Sequence, residues 1–402
     1  MNLAPRYTMN TTNPIPPRPR IATLDYARGI AVLGILLMNI SAFGLPKAAY
    51  LNPAYLGAPS TPDAWTWAVL DLLVQVKFLT LFALLFGAGL QLLLPRGKQW
   101  IRARLSWLVL FGLVHSIFMW DGDILLTYGL IGLVCWRMVR DAADTYSLLK
   151  TAVVLYLIGV ALLLLLGLLP HGEPSSFWLP STAELQYEKF WKLQGGVEAW
   201  RNRLDQLSST LLAIGVQYGW QLAGLMLLGA VLMRSGWLSH AYPPAYYLRQ
   251  AAWLIPLSLL LQLPAVALQW RLNWDYRWSG FLLQVPRELG SPLQAMGYLA
   301  LIYGYWPKLS KLRISAGLAL VGRMALSNYL LQTVVCSILF YRLGFYQQFD
   351  RLQLLAIVPL VWLVNLLFSA LWLRYFKQGP VEWLWRKLTS LAVGMPGAPT
   401  VE

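Results

Sequence analysis

Charge is scarce in this 402-residue sequence: 12% of its residues are Asp, Glu, Lys or Arg, and 58% are hydrophobic. Soluble domains carry about twice that charged fraction. Cysteine is nearly absent. Cys135 and Cys336 both sit inside apolar runs, which excludes a disulfide framework and leaves two small core residues. Histidine is limited to His115, His171 and His240. No zinc-ligand spacing, P-loop or Gly-x-Ser-x-Gly elbow occurs, so no metal is implied and these hydrolytic chemistries have no signature here. Residues 1–20 contain NPIPPRPR and lack the apolar core of a cleavable signal, so they read as a disordered cytoplasmic tail. Acids are outnumbered, 17 against 32 Lys and Arg, for a net charge of +15. In a soluble chain that excess would suggest nucleic acid. Among long apolar runs it reads as basic loops and headgroup contacts, with membrane lipids as partners and nucleic acid not among them.

What is abundant is apolar sequence in runs of the roughly 20 residues that span a bilayer. The fold class is all-α, a polytopic membrane helix bundle. About ten spans are expected, at 21–44, 65–94, 100–120, 124–138, 151–169, 208–233, 248–270, 291–306, 315–341 and 352–373. The second run, interrupted by Asp71, Gln75 and Lys77, is one tilted helix or a short helix joined to a longer one. Residues 21–373 form a single transmembrane domain. Its segment 170–207 is too polar to span and reads as surface amphipathic helices. Residues 374–402 form an interfacial cytoplasmic tail, marked by Trp383 and Trp385 beside Arg386 and Lys387. Lys and Arg concentrate on the side of the N-terminus, while Asp63, Asp121, Asp123, Glu184 and Asp350 fall on the other. The positive-inside rule then puts both termini in the cytoplasm. No internal repeat is evident.

The first span carries Asp25, Arg28 and Asn39. Arg28 and Asn39 are eleven residues apart, so they share a face to within about 20° and stand about 16 Å apart along the axis. Asp25 lies one turn before Arg28. Lipid penalises such a stripe by several kcal/mol, so it should face protein or water. The third span repeats the pattern, with Arg104 low and His115 eleven residues higher. Asp121 and Asp123 follow closely enough to orient the imidazole. Two such helices face to face would line a continuous polar shaft. Histidine suits proton transfer near neutral pH; the other reading of His115 is a packed residue satisfied by a backbone carbonyl. Arg28 has its alternative too, pairing with Asp25 and snorkelling to the interface. Asp71 and Lys77, six apart, lie on opposite faces of an unbroken helix, and one of them is expected to pair across to Arg28. Asn328 and Gln332 read as interhelical glue.

Several stretches together resemble the YeiB family of bacterial integral membrane proteins. They are RIATLDYARGIAVLGILLMNISAFG, KFLTLFALLFGAGLQLL, GLVHSIFMWDGDILLTYGLIGL, GRMALSNYLLQ and FKQGPVEWLWRKLT, spread in order over nearly the whole chain. The first helix also resembles that of a wider transmembrane acyltransferase group. That group includes the heparan glucosaminide acetyltransferases and the family that O-acylates bacterial surface sugars. The resemblance implies a bundle of about ten helices. It also implies a bacterial cytoplasmic (inner) membrane location, and transfer of an acyl group from cytoplasmic acyl-CoA to an acceptor on the far side. The O-acylating branch has a His eleven residues after the Arg of the first helix, where this chain has Asn39. The glucosaminide branch has Asn there and brings its His from elsewhere, a place His115 takes by analogy.

Two functions are therefore expected, beside a purely structural or accessory role in the membrane. In the first, an acyltransferase, His115, Asp123 and Asn39 are catalytic and Arg28 and Arg104 hold the phosphates of acyl-CoA. Asp121, Asp71 and Lys77 then contact the acceptor, a glycan, lipid or small metabolite. In the second, a transporter or flippase, the same arginines bind a small polar or anionic solute. The oligomeric state is left open.

Overall fold

The computed structural model describes residues 20–169 and 172–394. Residues 1–19 of the expected tail at 1–20, Pro170, His171 and residues 395–402 lie outside the described residues. Among the described residues the chain is all-α, with one isolated bridge between Tyr55 and Gly57 and no strand.

The helices in order are α1 (Ala22–Gly44), α2 (Thr61–Leu73), α3 (Lys77–Leu93), α4 (Lys98–Phe118) and α5 (Leu125–Asp141). They continue with α6 (Thr145–Leu168), α7 (Thr182–Gln194), α8 (Gly196–Ala213), α9 (Gly219–Arg234) and α10 (Pro244–Arg271). The last are α11 (Gln284–Leu309), α12 (Arg313–Arg323), α13 (Ala325–Ser337), α14 (Arg351–Tyr375) and α15 (Pro380–Ala392). Among the described residues, seven helical stretches are long and apolar enough to cross a membrane, or eight with the bent pair α12–α13. The ten expected spans also counted α5 and α11. With 17 residues, α5 is short. The interior of α11 is diluted by Arg287, Glu288, Gln294 and two prolines.

The centre of the bundle is α1, with 72% of its most apolar stretch buried against 22% for the peripheral α6. It crosses α12 through a reciprocal glycine contact. A Cβ on Gly29 would stand 2.0 Å from the Leu318 carbonyl oxygen, and one on Gly322 would stand 1.7 Å from that of Asp25. Only hydrogen fits at such a crossing.

Two runs are broken, the first as one of its two readings had it and the other without forewarning. The second apolar run is two helices, α2 and α3, broken at Val74–Val76. Val76 takes φ +67°, a left-handed conformation that a β-branched residue adopts only under constraint. The ninth run is also two helices, bent by 89° at Met324. This bend turns the N-terminus of α13 into the bundle. The polar segment does fold as amphipathic helices, α7 and α8, turned by Gly195 and Gly196 at φ +71° and +67°. Helix α8 then runs through a π-turn at Ile214–Tyr218 into α9. The C-terminal α15 packs on α4 and α13.

Candidate functional site

At the end of the bundle that carries the chain's basic loops, a cavity of about 350 Å³ opens between α1, α3, α4, α5, α13 and α15. Five arginines line it: Arg20, Arg28, Arg104, Arg323 and Arg386. The α1 wall is Arg28, Val32 and Ile35, one face at helical spacing. The deeper walls are apolar, with Leu85, Phe86, Leu108 and Tyr128. Arg28 pairs with Asp25 at 3.2 Å, as its alternative reading had it, and still lines the cavity. Among the described residues Arg20, Arg104, Arg323 and Arg386 enter no ion pair. The Arg104 guanidinium lies 3.5 Å from the centre of the Trp385 ring, whose Nε1 donates to the Arg104 carbonyl at 2.7 Å. Glu382 is the one carboxylate in the lining, and it is already engaged. It accepts from the backbone N–H of Leu326 at 2.8 Å and of Ser327 at 3.1 Å, capping α13. The cavity therefore presents surplus positive charge at its mouth and a greasy interior.

His115 stands in the last turn of α4 and is 1% exposed. The DGD turn then reverses the chain and returns Asp123 to the imidazole. Its Oδ1 lies 2.7 Å from Nδ1, and its Oδ2 accepts from the Leu126 N–H at 2.7 Å as α5 begins. An ionised carboxylate only accepts, so Nδ1 carries the hydrogen and Nε2 of the neutral ring is an acceptor. Nε2 faces Thr333 Oγ1 at 3.0 Å. The imidazole is thus held by two side chains rather than by a backbone carbonyl. Trp120, 6.4 Å from the ring, stacks on Phe43 of α1 at 4.1 Å. By helical spacing Asn39 continues the row of Arg28, Val32 and Ile35, but it does not line the cavity. Its side chain makes no hydrogen bond among the described residues.

The expected continuous shaft is interrupted. The arginine cavity ends on Ile124 and Tyr329, and His115 does not line it. The Tyr329 ring lies 5.4 Å from the imidazole. Its hydroxyl accepts from the Ile124 N–H at 3.3 Å and donates to the Gly122 carbonyl at 3.4 Å. On the far side is a crevice of about 10 Å³ lined by Ser116, Asp121, Asp123, Arg203 and Thr210. His115, Asp123 and Thr333 form one thin layer between the two, separated from the cavity by a single aromatic side chain.

Of the two acids offered as partners of His115, Asp123 takes the role. Asp121 instead pairs with Lys47 at 3.2 Å, in a cluster with Glu188 and Lys192, which pair at 3.2 Å. Burial alone would raise the Asp121 carboxyl. Lys47 first, then Lys192, more than reverse this and hold it at about 2. The cluster clamps α7 over the acidic end.

Asp71 and Lys77 lie elsewhere, and neither reaches Arg28. The break at Val76 lets the Lys77 ammonium donate to the Asp71 carbonyl at 2.5 Å. The Asp71 carboxylate pairs with Arg287 at 2.8 Å. Gln75, with its amide turned to donate to Asp71 at 3.1 Å, accepts from Arg287 at 3.0 Å. Glu288 extends this buried network to Gln221 at 3.4 Å. Asn328 and Gln332 do tie helices together, through Ser369 and Asn365 of α14 and the Val32 carbonyl of α1.

Thr333, Tyr329, Arg323 and Arg287 were not singled out from the sequence. Thr333 follows Tyr329 by four residues, the spacing of one helix face, which was the available signal.

The family described as a protein of unknown function (DUF418) matches residues 232–392, a stretch holding Arg323, Tyr329, Thr333 and Glu382. The chain is 61% identical to "Uncharacterized protein YeiB" of Escherichia coli (strain K12), over 93% of this chain and 97% of that one. It is 29% identical to "Uncharacterized protein YxaH" of Bacillus subtilis (strain 168), over 96% and 98%. It is 28% identical to a 39.9 kDa protein of Bacillus acidopullulyticus, over 94% and 96%.

Proposed function

For this chain, which belongs to the YeiB family of multi-pass membrane proteins, we propose a transmembrane acyltransferase activity. The acyl donor is cytoplasmic acyl-CoA, and the acceptor is a hydroxyl or amine reached from the opposite face. One observation carries the reading: an arginine-lined, apolar-walled cavity ends a single side chain from a buried, oriented imidazole. Arg20, Arg28, Arg104, Arg323 and Arg386 suit the phosphates of the donor through charge-assisted hydrogen bonds. The apolar walls suit its thioester arm. His115 is the general base, working through Nε2. Asp123 fixes the ring and stabilises the imidazolium that forms. The free amide of Asn39, on the same face of α1, donates to the carbonyl oxygen as charge develops. Asp121 belongs to the clamp at the acidic end, where an acceptor would enter.

Anion transport needs the arginines but gives no reason for an imidazole held between a carboxylate and a hydroxyl. Purified protein incubated with acetyl-CoA and candidate acceptors tests the choice by release of free thiol. Release lost in His115→Ala supports the enzyme. Uptake of anions into vesicles without thiol release supports transport.

A further inference from the structure

Within the acyltransferase reading, on which this inference rests, we propose that Thr333 is the nucleophile and carries the acyl group between two half-reactions. The observation is the arrangement of three side chains in the buried layer. Thr333 Oγ1 lies 3.0 Å from His115 Nε2, and His115 Nδ1 lies 2.7 Å from Asp123 Oδ1. A hydroxyl, a base and a carboxylate that orients the base are the parts of an activated nucleophile, recognised by geometry rather than by sequence order. All three are buried, so no bulk water competes for the hydroxyl. The other neighbour of Oγ1, the Tyr329 carbonyl, is at 3.5 Å and competes poorly with the imidazole for the hydroxyl hydrogen.

The position of the layer explains why a covalent stop is useful. A direct transfer would need donor and acceptor together in one chamber. Here the donor-side cavity and the acidic-end crevice lie on opposite sides of the layer, and the crevice holds about one water. Along α13 the cavity is lined by Ala325 and Tyr329, and Thr333 is the next residue of that row. Rotation of Tyr329 would expose Thr333 to a thioester and would also release the Ile124 N–H that its hydroxyl now occupies. That N–H then becomes a donor for the thioester carbonyl oxygen.

In the first half-reaction Thr333 Oγ bonds to the thioester carbon while its proton passes to His115 Nε2. The carbon–sulfur bond breaks, and the sulfur leaves with that proton as free thiol. In the second, the acceptor hydroxyl gives its proton to Nε2 and attacks the threonine ester. The carbon–Oγ bond breaks and Thr333 recovers the proton. Nothing is oxidised or reduced.

The test uses full-length protein in detergent with radiolabelled acetyl-CoA, and in parallel with butyryl-CoA and palmitoyl-CoA, without acceptor. The expected result is a burst of about one thiol per chain. Tryptic mapping should place the acyl group on Thr333 in the peptide 324–342, as an ester resistant to neutral hydroxylamine. Thr333→Ser should keep burst and label, and Thr333→Ala should lose both. A hydroxylamine-labile label on Cys135 or Cys336 overturns the assignment. So does turnover by Thr333→Ala at the wild-type rate once a membrane-lipid or sugar acceptor is supplied, or acceptor-dependent thiol release with no label. Failure of the wild type to release thiol from any of the three donors, with or without acceptor, counts against the acyltransferase reading itself.

Discussion

His115 and Thr333 stand 218 positions apart in the chain and 3.0 Å apart in space. The contact joins the last turn of α4 to the middle of α13, at the level where the arginine cavity gives out. It makes the imidazole bifunctional in the structural sense: one nitrogen is committed to Asp123, and the other faces a hydroxyl across the layer.

Asp123→Asn should abolish most activity without unfolding the protein. The amide is isosteric and can still accept from the Leu126 N–H, so the start of α5 is kept. It no longer requires the hydrogen on Nδ1, and it does not stabilise an imidazolium. Thiol release from acetyl-CoA should fall by about 100-fold or more, the scale of general-base catalysis. Near-UV circular dichroism should be unchanged. A variant that keeps the wild-type rate removes Asp123 from the mechanism.

Arg28→Ala and Arg104→Ala should raise KM for acyl-CoA more than they lower kcat. Each charged hydrogen bond lost is worth about 1.5–3 kcal/mol, or roughly 10- to 100-fold. Arg104→Ala should also lower stability slightly, because its guanidinium covers Trp385. Thioesters of 3′-dephospho-CoA localise the effect. The arginine that meets that phosphate should show a much smaller KM change with the truncated donor.

How much of this could be read in advance follows the range of the interactions. The polar face of α1 was legible because helical periodicity alone places Arg28 and Asn39 together, and Val32 and Ile35 fall on the same row. The His115–Asp123 pair was legible because eight residues and one tight turn separate its members. Thr333 was not, because its partner is set by packing between distant helices. The same holds for Arg287, 216 positions from Asp71, which replaced the expected partner Arg28. The polar residues Asp71, Gln75 and Lys77 left a break in the second run open, but its place at Val76 had no sign, since valine is a poor choice for a left-handed φ. The bend at Met324 is likewise a product of packing. The apolar run continues through it, and the 89° turn between α12 and α13 appears only in the structure.

Asp71→Ala should be among the most destabilising single changes. Asp71 is 1% exposed and Arg287 7%, so the substitution leaves a buried guanidinium with only its longer ion pair to Glu288 at 3.8 Å. Breaking one side of such a pair costs about 3–5 kcal/mol, whereas replacing both partners by apolar residues is close to neutral. Arg287→Met added to Asp71→Leu should therefore recover most of the thermal midpoint lost by either alone. If the double variant is as unstable as the sum of the singles, the pair is not what the network depends on.

The clamp at the acidic end predicts a pH dependence with a definite sign. Burial acts to raise the Asp121 carboxyl, but Lys47 and Lys192 hold it at about 2, below its ordinary 3.8. A carboxyl depressed in the folded state favours folding above its unfolded pKa. Its contribution, about 2 kcal/mol for a shift of this size, is full above about pH 4. It fades as the pH falls toward 2. Burial would lower Lys192, but Tyr346, Glu188 and Asp121 together raise it, so its own contribution persists on acidification and is lost only at strongly alkaline pH; the acid sensitivity comes from Asp121. Helix α7 is what this cluster anchors, through the Glu188 carboxylate on the Lys47 backbone N–H at 3.1 Å and the Lys192 ammonium on the Ala42 carbonyl at 3.5 Å. Amide exchange in α7 and α8 should therefore accelerate as pH is lowered from 4 to 2, after correction for the intrinsic rate, while α1 stays protected. In Asp121→Asn the two segments should already exchange faster at pH 6, with a smaller further change on acidification. An α7 that loosens equally in both proteins would place its anchor elsewhere, in the apolar contacts of Trp191 rather than in the ions.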